Sequence, residues 1–222
     1  MKAGFFVAGT DTGVGKTLVA AALLRRFSAL GLRAAGMKPI AAGCEQGRND
    51  DVEALLAAGM RGLDRSLVCP YLFEAPIAPH IAAQEAGVTI DLARIEAAFH
   101  QLESQADVLV VEGVGGFRVP LDERRDAGAI PKRLGLPVIL VVGLRLGCLN
   151  HALLTQEAIE AEGLELAGWV ANRIDPAMAR VEENIAALRQ RLRAPLLADV
   201  PYGAPSGFPV ALEPLWPARG SP

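Results

Sequence analysis

Residues 9 to 17 read Gly9-Thr10-Asp11-Thr12-Gly13-Val14-Gly15-Lys16-Thr17, between an apolar run (Phe5 to Ala8) and an amphipathic segment. A loop that ends in Gly-Lys-Thr between strand and helix is suited to hold polyphosphate. Its glycines let successive backbone N–H groups converge on phosphate oxygens. The Lys16 ammonium then reaches the β- and γ-phosphates, and the Thr17 hydroxyl takes a place on Mg²⁺. The start of the helix adds a partial positive charge. One feature departs from the common pattern. The glycine expected five positions before Gly15 is replaced by Thr10, and a glycine stands one residue earlier, at Gly9. Apolar pairs Leu18/Val19, Ala22/Leu23 and Phe27/Leu30 follow at helical spacing.

Other chemistry-bearing residues stand where apolar runs end. Lys38 follows Ala34 to Met37 and precedes Pro39; it is either a solvated strand-end lysine or a second cation near Lys16, able to stabilise a transferring phosphoryl group. Glu112 ends the run Val108 to Val111 and opens the glycine-rich turn Gly113-Val114-Gly115-Gly116, the place for a second Mg²⁺-associated carboxylate. Asp50 and Asp51 precede a helix; one of them is expected to cap it, leaving the other for the metal. The segment Gly147-Cys148-Leu149-Asn150 opens a further helix, whose free N–H groups suit a carboxylate. Cys148 reads as a buried thiol rather than a nucleophile. His80, His100 and His151 have no metal-ligand spacing.

These residues must be positioned by alternating strands and helices. Apolar, β-branched runs predict strands at Gly4 to Ala8, Ala34 to Lys38, Val108 to Val111, Val138 to Val142, Gly168 to Ala171 and Ala198 to Val200. Helices are predicted near Lys16 to Leu30, Asp51 to Ala58, Leu92 to Gln105, Leu149 to Glu162 and Arg180 to Leu192. Strands that are apolar throughout are buried on both faces, which predicts an α/β fold with a mostly parallel central sheet and helices on either side. In such a sheet, ligands gather at the carboxyl ends of the strands. One domain spanning residues 1–222 is expected, without repeats or linkers. The stretch Pro201 to Pro222 holds six of the 15 prolines and is predicted to be irregular; it either trails as a disordered end or closes over a nucleotide base.

Composition narrows the functional classes. The chain has 222 residues, 51% of them hydrophobic, enough for one sizeable core. A net charge of −3 with no basic cluster argues against nucleic-acid binding. No stretch approaches a membrane span of about 20 apolar residues, and the first residues read as a strand rather than a signal peptide. Three widely spaced cysteines, Cys44, Cys69 and Cys148, suggest neither a disulfide framework nor a zinc site, which fits a reducing cytoplasm.

Taken together, the motifs resemble the dethiobiotin synthetase family, whose fold is that of the P-loop NTPases. The resemblance spans nearly the whole chain and rests on residues 9–17, Lys38-Pro39, Arg48-Asn49-x-Asp51 and Ala78-Pro79-His80-Ile81. It continues through Val111-Glu112-Gly113-x-Gly115-Gly116, Leu146 to Ala152 and Gly168-Trp169-Val170-Ala171-Asn172, and fades beyond Gly203. It implies ATP binding by Gly13, Val14, Gly15, Lys16, Thr17 and Leu18, with Asp51, Glu112, Gly113 and Gly115 at the phosphates and Thr17, Asp51 and Glu112 on Mg²⁺. Asn172, Arg173, Pro201, Tyr202 and Gly203 fall where the family binds adenine. Lys38 matches the catalytic lysine, beside Lys16. Thr12, Lys38 and Ala42 face the substrate, and Gly147 to Asn150 hold its carboxylate across a homodimer interface.

Two positions depart: the family has Ser or Thr where this chain has Ala42, and often Glu where it has Gly13. The implied reaction joins 7,8-diaminopelargonate and CO₂ into a cyclic urea through a carbamate and a carbamic–phosphoric anhydride, with ATP going to ADP and phosphate. A regulatory or partitioning ATPase of the same fold is the alternative. Such proteins carry a signature lysine early in the loop, where this chain has Asp11. The related amidating synthetases of cobalamin assembly carry a glutaminase domain for which 222 residues leave no room.

Overall fold

A computed structural model describes residues 3–215. In chain order the elements are β1 (Ala3–Gly9), α1 (Lys16–Ala29), β2 (Ala34–Met37), β3 (Ile40–Ala42), α2 (Asp50–Ala58), α3 (Arg65–Val68), β4 (Tyr71–Phe73) and α4 (Pro79–Glu85). They continue with α5 (Leu92–Gln105), β5 (Val108–Glu112), α6 (Ala129–Leu134), β6 (Val138–Leu144), α7 (Cys148–Ala161), β7 (Leu166–Arg173), α8 (Val181–Arg191) and β8 (Leu196–Val200).

Six strands form one wholly parallel sheet in the order β2-β5-β1-β6-β7-β8. The expected α/β architecture is therefore correct, with all six predicted strands present. Both faces of the sheet are covered. Phe5 and Val7 point into an apolar cluster with α1 and Leu55 of α2, while Phe6 and Ala8 join another that holds α5, α7 and α8 residues such as Phe99, Ala152 and Leu188. Alternate residues of one strand thus serve opposite cores, which is why the strands carry no polar face.

β1 lies at the switch point, with β5 on one side and β6 on the other. Every connection after a sheet strand emerges at the same edge, so the turns after β1, β2, β5, β6, β7 and β8 are neighbours despite wide separation in sequence.

Several details differ from expectation. A separate two-stranded parallel sheet, β3 with β4, pairs Ile40 with Tyr71 and Ala42 with Phe73. Three-residue strands beside Pro39 and Pro70 carry no periodicity, so only pairing reveals them. The short helices α3, α4 and α6 fall in the same blind range. Lys38 lies just beyond β2 rather than within it, and its N–H donates to the Val68 carbonyl at 2.8 Å.

Neither Asp50 nor Asp51 caps α2. Asn49 does, its side-chain oxygen accepting from the N–H groups of Asp51 and Val52. Its amide also donates to the carbonyls of Ala42 and Gly43, at 3.3 and 3.1 Å. Both aspartates are thereby released from capping duty. In the tail, residues 201–215 form neither helix nor strand, as expected, yet Phe208, Val210 and Leu212 are buried against the α1 face. The N–H of Ala211 bonds the Leu197 carbonyl at 2.9 Å. Residues 216–222 of that predicted tail lie outside the described residues.

Asn49→Ala should remove the cap and the tie to Ala42 together. We expect a loss of about 1–2 kcal/mol, read by urea unfolding, against less for Asn49→Asp, which keeps the cap alone.

Candidate active site: a phosphate cradle beside a buried lysine

The loop after β1 curls over the start of α1. Gly15, the N-cap, has φ +93°, a left-handed conformation that side chains resist. A side-chain carbon there would also lie 2.2 Å from the Asn172 amide nitrogen. Asn172, buried at the end of β7, donates that amide to the Val14 carbonyl at 2.8 Å and so pins the loop from beneath. The unusual Gly9-Thr10 pair has its own account. A carbon added to Gly9 would sit 2.7 Å from Val14, whereas the Thr10 hydroxyl accepts the Gly143 N–H at 3.4 Å and ties the loop to β6. Asp11, next in the loop, forms an ion pair with Arg145 beyond β6.

A cavity of about 750 Å³ opens over this loop, lined by Thr12, Gly13, Gly15, Lys16, Thr17 and Leu18. Lys38, Asp51, Glu112 and Gly115 complete its polar part, with Ala42 beside them. The expected site residues from β1, β2, α2 and β5 are thus brought together. Val14 is buried beneath the loop, and Gly113 contributes its carbonyl to Lys38 at 3.3 Å. Pro76, Ile77, Ala78, Val114 and Val119 form an apolar wall that sequence reading did not assign. The Ala-Pro-His-Ile run at 78–81 was the available signal, lying on the loop that enters α4 at Pro79.

At the floor stands a cluster of charges. The Lys38 ammonium lies 2.8 Å from Asp51 Oδ2 and 2.5 Å from Glu112 Oε1. Lys38 and Glu112 are buried, while the Asp51 side chain is 42% exposed and faces the cavity. Burial alone would lower the Lys38 pKa, but Glu112 and Asp51 outweigh it and hold it raised, so Lys38 is charged. The solvated strand-end reading of Lys38 is therefore wrong. Burial pushes the Glu112 carboxyl up against the pull of Lys38. For Asp51, burial pushes up, but Lys38 and the Thr17 hydroxyl hold it below its ordinary value.

Thr17 Oγ1 sits 2.7 Å from Asp51 Oδ1 and 2.8 Å from Glu112 Oε1. Its single proton can serve only one of these acceptors. Glu112 Oε2 is buried and has no hydrogen-bond partner. Three hard oxygen donors with an orphaned carboxylate oxygen fit Mg²⁺. Among the described residues no set of three His, Cys, Asp or Glu side chains gathers around one metal position. Phosphate oxygens and water would therefore have to complete the shell, as is usual for this ion.

Lys16 is buried, and its ammonium donates to the Asp11 carbonyl at 2.9 Å. Burial, and then repulsion from Lys38, lowers its pKa to about 8. The remaining expected residues lie elsewhere. Arg173, Pro201 and Tyr202 line a second cavity of about 450 Å³ between the turns after β7 and β8, and Gly203 follows them in the same turn. Gly147, Cys148, Leu149 and Asn150 begin α7 as predicted, but line neither cavity within one chain. Cys148 is buried with its thiol pKa pushed up by burial, which bears out the structural reading.

Comparison with known proteins places this geometry. A family model described as an AAA domain matches residues 3–209. Solved structures with the same fold include the septum site-determining protein MinD from Pyrococcus horikoshii, complexed with Mg-ADP, at 16% identity and a TM-score of 0.58. That match covers 90% of this chain and 82% of that one. A ParA family ATPase from Chlorobium tepidum matches at 15% identity, TM-score 0.54, over 90% and 85%. Fold and phosphate loop together define a P-loop NTPase domain. Sequence similarity is narrower. An ATP-dependent dethiobiotin synthetase from Aromatoleum aromaticum is 59% identical over 90% of this chain and 91% of its own length. The namesake from Nitrosospira multiformis is 56% identical over 91% and 89%. The chain belongs to the dethiobiotin synthetase family.

Phosphates seated against Lys16 should return its pKa toward the ordinary lysine range, so binding near pH 8 takes up a proton. The sign follows: affinity for ADP without Mg²⁺ should fall as pH rises through 8, by up to about tenfold per unit. Titration calorimetry in buffers of different ionisation enthalpy measures the uptake, and Lys16→Arg should abolish it.

Proposed function

We propose that the chain catalyses the Mg²⁺-dependent ring closure of 7,8-diaminopelargonate with CO₂ to dethiobiotin, converting ATP to ADP and phosphate. Membership of the family makes it an ATP-dependent ligase. The observation that carries the reading is the convergence of Lys16, Thr17 and the charged Lys38 on one cavity that also has an apolar wall. The wall suits the alkyl chain of the diamine, and the charges suit a carbamate and a phosphoryl group.

In this reading the phosphates lie on the backbone N–H groups of residues 13–18 and on Lys16. Thr17, Asp51 and Glu112 would hold Mg²⁺, which neutralises phosphate charge when bound. A neutral substrate amine adds to CO₂, losing a proton to water and forming a carbamate. Lys38 orients that carbamate so that its oxygen attacks the γ-phosphorus as ADP leaves. The second amine then attacks the carbamoyl carbon, closes the ring and expels phosphate. The protein supplies position and charge, with no covalent step of its own. Ala42 offers no hydroxyl, so the diamine is held by Thr12, Lys38 and the wall.

The substrate carboxylate is assigned to the start of α7 in the partner of a homodimer. Support comes from Leu146, 95% exposed immediately before Gly147, and from the half-exposed Leu154 on the same helix; apolar side chains left in water suit an interface. Small-molecule substrates and a cytoplasmic setting complete the proposal. No described helix is long and apolar enough to cross a membrane. The partitioning-ATPase alternative is not favoured, because Asp11 is engaged by Arg145 of the same chain.

ATP-dependent incorporation of labelled bicarbonate into an acid-stable product, requiring the diamine, is the direct test; nucleotide hydrolysis without incorporation would defeat the proposal. Lys38→Ala should lower kcat by at least a hundredfold while changing ADP affinity by less than about threefold. Since that variant strands Glu112, Lys38→Gln, which retains a donor, should be assayed beside it on protein shown to be folded.

Mixed dimers test the shared site. Gly147→Glu places a charge where the carboxylate is assigned, and Gly147→Ala measures the cost of a side chain at φ +94° alone. Pairing a Lys38→Ala subunit with a Gly147→Glu subunit should restore roughly half of the wild-type rate per dimer, since one composite site is intact. Folded heterodimers without activity would place each site within one chain.

A further inference from the structure

A carboxylate is an unexpected side chain for a loop suited to polyphosphate, yet Asp11 lies within it. Geometry explains its presence. The Asp11 carbonyl accepts from the Lys16 ammonium at 2.9 Å, and its Oδ1 accepts the Thr12 N–H at 2.7 Å. That second bond fixes the turn from which Thr12 reaches the cavity. The same carboxylate is an anion beside a site for anions.

The neighbouring charges leave no surplus to offset it. Four charged side chains line the phosphate cavity, Lys16 and Lys38 against Asp51 and Glu112, and their formal charges cancel. Asp11 stands next to this balanced group, so an uncovered Asp11 would turn the field at the loop negative.

Arg145 covers it. The guanidinium pairs with Asp11 Oδ2 from the turn after β6. That turn is itself anchored, since the Arg145 carbonyl accepts the Cys148 N–H at 3.0 Å where α7 begins. Both side chains of the pair are 43% exposed. An ion pair so open to water adds little to folding stability. Its charge still acts on a ligand seated beside it, because juxtaposed like charges weaken binding.

We propose that Arg145 is a positioning residue for nucleotide binding. By cancelling the charge of Asp11, it lets a carboxylate shape the phosphate loop without repelling the phosphates. The proposal rests on the nucleotide site of the proposed function and on none of its ring-closing chemistry.

A charge cover and a purely mechanical tie predict different results for the two halves of the pair. A tie is lost equally from either side. A cover is asymmetric: Arg145→Gln exposes an anion, whereas Asp11→Asn removes that anion and keeps an oxygen for the Thr12 N–H. Titration calorimetry of the full chain with ADP, without Mg²⁺, diamine or bicarbonate, distinguishes them at low ionic strength. Arg145→Gln should weaken ADP by at least about fivefold, and Arg145→Lys, which keeps the charge, by less than about twofold. Asp11→Asn should bind ADP at least as tightly as the wild type. Adding Asp11→Asn to Arg145→Gln should recover most of the lost affinity. Salt should narrow the gap between Arg145→Gln and wild type, since it screens exposed charges. Equal weakening by folded Arg145→Gln and Asp11→Asn, or no weakening by Arg145→Gln, overturns the proposal and leaves the ligase reading intact. Failure of the wild type to bind ADP overturns the nucleotide site and the proposal with it.

Discussion

The site depends on one buried interaction, the ammonium of Lys38 held between Glu112 and Asp51. A charge taken out of water costs several kcal/mol unless it is paired, and removing one member of such a pair costs more than the pair contributes. The three residues come from the turn after β2, the end of β5 and the start of α2, and Thr17 at the start of α1 contacts both carboxylates. Four elements already packed through apolar side chains are thus also tied by electrostatics at this edge of the sheet. Bound nucleotide and metal would take over partners that Lys38 and Thr17 now satisfy, so the cluster holds the site ready while the charges remain compensated.

The phosphate loop is held from three sides in the same manner. Asn172 bonds its Val14 carbonyl, the Thr10 hydroxyl meets the Gly143 N–H, and Asp11 pairs with Arg145. Each tie comes from β6, the turn after it, or β7, on the side of β1 opposite the Lys38 cluster. A preorganised loop spends little of the binding energy on ordering itself. Arg145 also lies two residues before Gly147, which links the loop to the start of α7.

The apolar tail adds a structural point to what composition suggested. Prolines did keep residues 201–215 out of regular structure, but Phe208, Val210 and Leu212 recur on alternate positions and bury against α1. Irregular backbone and ordered packing are compatible when side chains have an apolar face to cover.

What the sequence determined by itself was whatever is carried by neighbours along the chain. Uniformly apolar strands specified a sheet covered on both faces, and the Gly-x-Gly-Lys-Thr turn specified a phosphate cradle, because both depend on backbone conformation and local periodicity. Strand-end position also marked Lys38 and Glu112 as candidates. Tertiary structure decided what those candidates touch. Whether Lys38 met solvent or carboxylates turned on α2 and β5, 13 and 74 residues away. The α2 cap went to Asn49 rather than an aspartate, since Asn49 alone has an amide to donate to Ala42 and Gly43. The β3–β4 sheet and the Asp11–Arg145 pair likewise left no local signal. Each is a contact between segments far apart in sequence, and such contacts exist only once the parallel sheet has brought its strand ends to a common edge.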